Sequence, residues 1–258
     1  MALVRTVTDA GVATLTLDSP ANRNALSTPL MRELLDSLSE ALTDTSVRVV
    51  VLSHAGKVFC SGADLKETAE ARANGRVPAE MIADVLAALW EFPKPVVARI
   101  AGPARAGGLG LIAAADIAVC AREATFAFSE VRLGVIPAVI SATVLPRLSP
   151  RAAAELYLTG DLFDGSRAAE IGLVSAAVPA EDLDDTVRRY CDSLVLGGPL
   201  ALAGTKQLLR RTPIRGELAE LAQRSAGYFR SAEGREGMAA LREKRPANWV
   251  PADPASDG

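Results

Sequence analysis

Residues 94–117 read KPVVARIAGPARAGGLGLIAAADI, and the way this stretch divides decides the fold. PVVARI (95–100) is an apolar, valine-rich run of strand length. A turn containing Gly102 and Pro103 follows, and the rest is an apolar helix that Asp116 ends. Strands that lead into helices in this way argue for α/β layering. Gly102, Gly107, Gly108 and Gly110 punctuate the segment, and no side chain between Arg105 and Asp116 is ionisable. The Gly107–Gly108 pair has two readings. It allows a tight turn or close packing, or it places free N–H groups of a helix start at an anion or oxyanion.

Working outward, GVATLTL (11–17) alternates apolar and polar residues as a half-buried strand does. DSPANRNALS (18–27) is turn-rich. Ser27 reads as an N-cap, with Pro29 in the first turn and an apolar stripe of Leu30, Leu34, Leu35, Leu38, Ala41 and Leu42. RVVVLS (48–53) is a buried strand, and ETAEARANGRVPAE (67–80) reads as a polar lid. A helix through Met81, Val85 and Leu89 ends near Pro93 and Pro95. Downstream come strands at 117–119 and 124–128, helices at 138–147 and 151–158, a short helix ending at Gly172, and the strand LVSAAV (173–178). Beyond Val178 the pattern is helical over 180–196, 199–211, 215–230 and 233–244, with a tail from 246. The expected division is an α/β core over 1–195 and a helical region over 196–258.

Composition narrows the function. The chain has 258 residues, 49% of them hydrophobic and 23% charged, which suits one large domain or one domain with an appendage. A net charge of −3 without a long basic run argues against a nucleic-acid partner. Cys60, Cys120 and Cys191 are odd in number and widely spaced, as in a reducing cytoplasm. The N-terminus lacks a secretory apolar core, and no apolar stretch reaches about 18 residues, so the expectation is a cytoplasmic protein off the membrane. The single histidine, His54, excludes sites built from several imidazoles, including most zinc sites, and no metal is expected.

Two further segments carry polar chemistry. FCSGADLKE (59–67) is either a plain strand-to-helix turn capped by Asp64 or a turn whose backbone N–H groups face a ligand. FAFSEVRLGVIPA (126–138) sets Glu130 among Leu133, Val135 and Ile136. Glu130 is thus either a surface carboxylate at a strand end or a desolvated acid with a raised pKa.

In order, NRNAL, FCSGADLKE, KPVVARIAGPARAGGLGLIAAADI, FAFSEVRLGVIP, ELYLTGDLFDGSRAAEIGLVSAAVP and EGMAALREKRPANW closely resemble the enoyl-CoA hydratase/isomerase (crotonase) family, over nearly the whole chain. The resemblance implies a crotonase-type spiral of ββα units with a C-terminal helical trimerisation region, assembled as a trimer or dimer of trimers. It implies an acyl-CoA thioester as the ligand and no separate cofactor, coenzyme A being part of the substrate. The matching positions give the Ala63 and Gly107 N–H groups as an oxyanion hole and Glu130 as the acid/base. The CoA portion would lie along Arg23, Ala25, Ser61, Gly62, Asp64 and Leu65. Lys66 is either a phosphate neighbour or a solvated loop lysine, and Gly108 and Gly110 count among the substrate-binding residues, the helix opening near Gly108 adding its positive end to the oxyanion hole. Trp249 and Lys244 would close over the nucleotide, in one version from an adjacent subunit.

Hydratases of this family use two glutamates, and the first falls here on Gly110. Three readings follow for Glu130 and this glycine. Glu130 hydrates alone, it shuttles a proton as in the family's isomerases, or Gly110 makes room for a bulkier or carboxylated acyl group. SEVRLGVIPAVIS (129–141) is similar to a branch that hydrates dicarboxylic, glutaconyl-type esters. The expected activity is therefore hydration of a 2-enoyl-CoA, with an isomerase and a non-catalytic acyl-CoA-binding scaffold as alternatives. Among the other polar residues, Asp64 is expected to stabilise a turn, Asp116 to be structural, Cys60 to pack and His54 to end a strand, while Glu67 and Glu70 either sit on a solvated lid face, the favoured reading, or replace the missing acid. Arg105 and Arg132 would meet either a substrate carboxylate or surface acids.

Overall fold

The structure, a computed structural model, describes residues 2–64, 67, 79–210 and 214–250. Its strands are β1 (Val4–Asp9), β2 (Val12–Leu17), β3 (Val49–His54), β4 (Val96–Ile100), β5 (Ala104–Arg105), β6 (Ile117–Ala121), β7 (Thr125–Ala127), β8 (Phe163–Asp164) and β9 (Ala176–Val178). One six-stranded sheet runs in the order β1-β2-β3-β4-β6-β9, and β5-β7-β8 form a second, three-stranded sheet. In the large sheet only β1 runs antiparallel to its neighbour. Every residue of β3 is buried, which is why RVVVLS carries no alternation: a parallel strand covered on both faces is apolar throughout.

β1 is not legible in the sequence. Only Val4 of its six residues is buried, so it lacks an apolar face. It is recruited by a two-residue turn in which Ala10 (φ 47°) and Gly11 (φ 82°) both take positive φ, the geometry of a tight hairpin. LVSAAV shrinks to the three residues of β9, and the helix expected over 138–147 becomes an α-helix to Val144 and a 3-10 turn over Leu145–Arg147.

The helices are α1 (Thr28–Thr43), α2 (Ala79–Glu91), α3 (Gly107–Ala114), α4 (Ala138–Val144), α5 (Pro150–Thr159), α6 (Gly165–Glu170), α7 (Leu183–Val195), α8 (Pro199–Leu209), α9 (Arg215–Arg230) and α10 (Ala232–Glu243). Ser27 caps α1 as expected, its hydroxyl accepting from Leu30 N–H. The buried stripe includes Met31 and leaves Leu42 exposed. The carboxylate of Glu67 accepts a 2.7 Å hydrogen bond from Thr28 N–H, so it serves the α1 start rather than a solvated lid face. Glu70, Leu65 and Lys66 lie outside the described residues.

α3 is buried along its whole length, and its C-terminal end is held by cations. Arg147 donates to the carbonyls of Ala113 (3.1 Å) and Ala115 (2.9 Å), and Arg210 to that of Ala114 (2.8 Å). Asp116 pairs with Lys206 and Arg210, both at 2.6 Å, and accepts from Val96 N–H at 2.8 Å. The Trp90 ring lies beneath both guanidinium groups, 5.3 Å from Arg147 and 4.2 Å from Arg210. Asp116 therefore ties the C-terminal helices to the sheet. Truncating it strands buried cations, and Asp116→Ala should lower unfolding free energy by about 3 kcal/mol in urea titrations. An unchanged denaturation midpoint would refute this structural role.

Candidate active site

Three stretches of backbone lie side by side at the edge of α3. Leu26 N–H donates to the Gly62 carbonyl (2.8 Å), and Ser61 N–H donates to that of Arg23 (3.1 Å). On the other side, Phe59 N–H donates to Pro103 O (2.9 Å) and Arg105 N–H to Cys60 O (3.0 Å). Arg23, Ala25, Ser61, Gly62 and Asp64 are thus gathered on neighbouring strands. Asp64 accepts from Glu67 N–H at 3.2 Å and from Asn22 at 3.4 Å, the turn-stabilising position expected of it.

The approach is close enough to require glycine. Gly62 has φ +90°, and a Cβ there would lie 2.8 Å from Ala106 Cβ and 3.4 Å from Gly107 N. A Cβ on Gly108 would meet the Cys60 carbonyl at 2.8 Å. Ala106 has φ 47°, a conformation an L-residue adopts at a cost of about 1–3 kcal/mol. This strained residue immediately precedes α3 and aims the helix start. The position of a Cβ on Gly107 is 3.9 Å from Ala63 N, so the two amides are neighbours. Among the described residues neither the Ala63 nor the Gly107 N–H finds an acceptor.

Both residues line a cavity of about 70 Å³ that opens outward, together with Ile82, Ala106, Ile136, Pro137, Val139, Ile140, Ser225, Phe229 and Glu130. That volume holds a few heavy atoms. Glu130 sits on a 3-10 turn (Ser129–Leu133) and is 8% exposed, and its Oε2 is buried with no hydrogen-bond partner among the described residues. Burial pushes its pKa up from 4.5 to about 7, with no cation among the described residues to counter it. Beside that turn, Phe128 packs on Tyr157 (4.6 Å between centroids) and Phe163 (6.0 Å). From the other side, α10 approaches so closely that a Cβ on Gly237 would lie 2.2 Å from the Leu133 carbonyl. Of the two readings of Glu130, the structure gives the desolvated one.

Gly110 is placed differently from expectation. It does not line the cavity, and the space where its side chain would begin is filled by Ile140 Cγ2, 2.7 Å away, and by Leu86 Cδ2, 3.2 Å away. No room for a larger acyl group is opened there. Gly108 likewise packs against Cys60 and not against the cavity. Arg105 is tied to Thr125, donating to its carbonyl at 2.5 Å and its hydroxyl at 3.0 Å, so it is neither a surface pair nor free for a ligand. Arg132 pairs with Asp161, as the surface reading had it. Trp249 packs against Gly134, its ring 3.0 Å from a Cβ built there, which puts it behind the Glu130 turn of its own chain. Lys244 caps the end of α10. His54 is buried and accepts from Ala101 N–H at 3.1 Å, and Cys60 is fully buried with its thiol pushed up to about 12. No cluster of metal-binding side chains occurs among the described residues, and no helix there is long and apolar enough to cross a membrane.

Sequence reasoning missed the part of the cavity built by Ile82, Ser225 and Phe229. α9 packs on α2 and α4. Its buried residues Leu218, Ala222, Ser225 and Ala226 form an ordinary helical stripe, which signals packing and not a site.

The sequence profile of the enoyl-CoA hydratase/isomerase family matches residues 7–251. A crystal structure of an enoyl-CoA hydratase from Mycobacterium avium superposes with a TM-score of 0.87 at 44% identity, covering 97% of this chain and 100% of that one. The 2,3-dehydroadipyl-CoA hydratase of Escherichia coli (strain K12) is 31% identical, over 92% of this chain and 94% of its own. The peroxisomal Delta(3,5)-Delta(2,4)-dienoyl-CoA isomerase of Arabidopsis thaliana is 33% identical, over 81% of each.

The raised pKa of Glu130 has a measurable consequence. Between pH 4.5 and about 7 the folded protein keeps a proton that the unfolded chain has released, so stability is full below 4.5 and declines as pH rises to about 7. The full loss is about 3 kcal/mol. Glu130→Gln should abolish it: the melting temperatures of the two proteins converge near pH 4.5, and the variant melts higher at pH 8. Parallel curves across that range would show Glu130 to be solvated.

Proposed function

Because the chain belongs to the enoyl-CoA hydratase/isomerase family and is an enoyl-CoA hydratase-like enzyme, we propose that it adds water across the 2,3 double bond of an acyl-CoA thioester with Glu130 as its only carboxyl acid/base. The observation that supports this is the convergence on one cavity of the Ala63 and Gly107 segments with a buried, unpartnered Glu130 carboxyl. In the proposed step Glu130 takes a proton from water as the oxygen bonds to C3. The π electrons of C2=C3 move towards the thioester, whose oxygen becomes an enolate held by the Ala63 and Gly107 N–H groups. Glu130 then returns its proton to C2 as the carbonyl re-forms. One proton leaves and one arrives, so a single carboxyl suffices and no cofactor or metal takes part.

Arg23, Ala25, Ser61, Gly62 and Asp64, gathered beside the cavity, would take the CoA portion; Leu65 and Lys66, assigned to it by the family resemblance, lie outside the described residues. The acyl group is proposed to be uncharged. Among the described residues no cation lines the cavity, while Ile82, Ile136, Val139, Ile140 and Phe229 do. That favours it over the dicarboxylic ester suggested by residues 129–141. The proposal extends to a cytoplasmic enzyme with residues 1–195 as the catalytic core and 196–258 as the assembly region of a trimer or hexamer. Leu200, Leu208 and Leu209 of α8 are more than 70% exposed and would be covered in such an assembly.

A second reading is favoured by one observation: Gly110 leaves no second carboxyl. Glu130 would then move a proton between two carbons of the acyl chain and catalyse double-bond isomerisation.

Incubation with crotonyl-CoA, a 3-enoyl-CoA and 3-methylglutaconyl-CoA, followed by mass spectrometry, separates the readings. A gain of one water from crotonyl-CoA is expected. A new isomer of unchanged mass from the 3-enoyl ester would favour the second reading, and binding without conversion would refute both. Glu130→Gln should lower kcat by about 10²–10⁴-fold. Wild-type kcat/KM should rise with pH through about 7 and then level, because the carboxylate is the reactive form. Full activity in Glu130→Gln would end the assignment.

A further inference from the structure

Apart from Glu130, the described side chains around the cavity carry one polar group, the hydroxyl of Ser225. Ser225 is only 6% exposed and lies on the buried stripe of α9, between Ala222 and Ala226. No hydrogen bond to its hydroxyl is found among the described residues, in contrast to Ser193 of α7, which donates to the Arg189 carbonyl at 3.0 Å one helical turn back. Glu130 lines the same cavity, and its Oε2 is buried without a partner among the described residues. Among the described residues these two side chains are thus the polar groups on a space otherwise walled by apolar ones, where a polar occupant would find hydrogen-bonding partners.

We propose that Ser225 is the second hydrogen-bonding anchor of the active site, holding the attacking water opposite Glu130 and, after addition, the new 3-hydroxyl of the product. This rests on the hydration reading above. A serine hydroxyl donates one hydrogen bond and accepts others, so it can accept one proton of a water while the other points at the Glu130 carboxylate. It neither gains nor loses a proton over the cycle, and the balance of the reaction is unchanged. Gly110 provides no polar group for this task, and Ile140 fills the space beside it. The role comes instead from α9, a helix of the C-terminal region. The same geometry makes Ser225 selective: it serves a step in which water reacts and is idle in a step that only moves a proton at C2.

The test compares wild type with Ser225→Ala in three measurements: melting temperature, kcat and KM for crotonyl-CoA hydration, and exchange of the C2 protons of butyryl-CoA into D2O. Alanine suits a helix interior, so the variant should fold and melt no lower than wild type. Hydration kcat should fall about 10- to 100-fold with KM changed less than about threefold, while C2 exchange persists. Ser225→Thr, which keeps the hydroxyl, should recover part of the lost kcat. Unchanged hydration in Ser225→Ala would overturn the proposal while leaving the hydratase reading intact. Equal losses of hydration and exchange, or a lower melting temperature that accounts for the loss, would reduce Ser225 to a packing residue. If the wild type hydrates nothing, the hydratase reading falls and takes this role with it.

Discussion

The chain crosses itself at van der Waals distance where Gly62 meets Ala106 and Gly107. That contact is the constraint on which the rest depends. A side chain at Gly62 would collide with Ala106 and the Arg105 carbonyl, and one at Gly108 with the Cys60 carbonyl. Only with small residues on both strands do the Ala63 and Gly107 amides come to line one cavity. The strained φ of Ala106 is held by the hydrogen bonds flanking it, Arg105 N–H to Cys60 O before it and Leu109 N–H to its own carbonyl after it. A segment without ionisable side chains can thereby contribute to chemistry, because what it offers is backbone dipole.

A second constraint acts on Glu130. Its turn is clamped between the Phe128–Tyr157–Phe163 cluster and α10, and among the described residues the cavity beyond it is apolar except for Ser225. Desolvation holds the carboxyl near neutrality, where one group can both take and return a proton at physiological pH. The same desolvation weakens the fold once the group ionises. At the far end of α3 the Asp116–Lys206–Arg210 cluster anchors α8, the helix that precedes the cavity-lining α9.

Much of this was legible in the chain. The buried strands at 48–53 and 95–100, the cap at Ser27 and the burial of the segment after Gly107 follow from local pattern, and the ordered motifs identify the family. What was hidden depends on tertiary contact. β1 has one buried residue and is fixed by a hairpin whose first turn residue is alanine, which carries no turn signal. Glu67 looks solvated until α1 folds against it. Gly110 reads as added space, and only the position of Ile140 shows that the space is taken. Ser225 is one more small residue on a helical stripe until the helix is laid over the cavity.

The central claim is that two backbone amides polarise a thioester carbonyl. The most direct measurement is the infrared stretch of that carbonyl in an enoyl-CoA labelled with carbon-13 at C1, free and bound to the protein. The account predicts a lower frequency on binding, because two hydrogen bonds from Ala63 and Gly107 draw electron density onto the oxygen. A bound ester whose carbonyl absorbs at the frequency of the free one would contradict it.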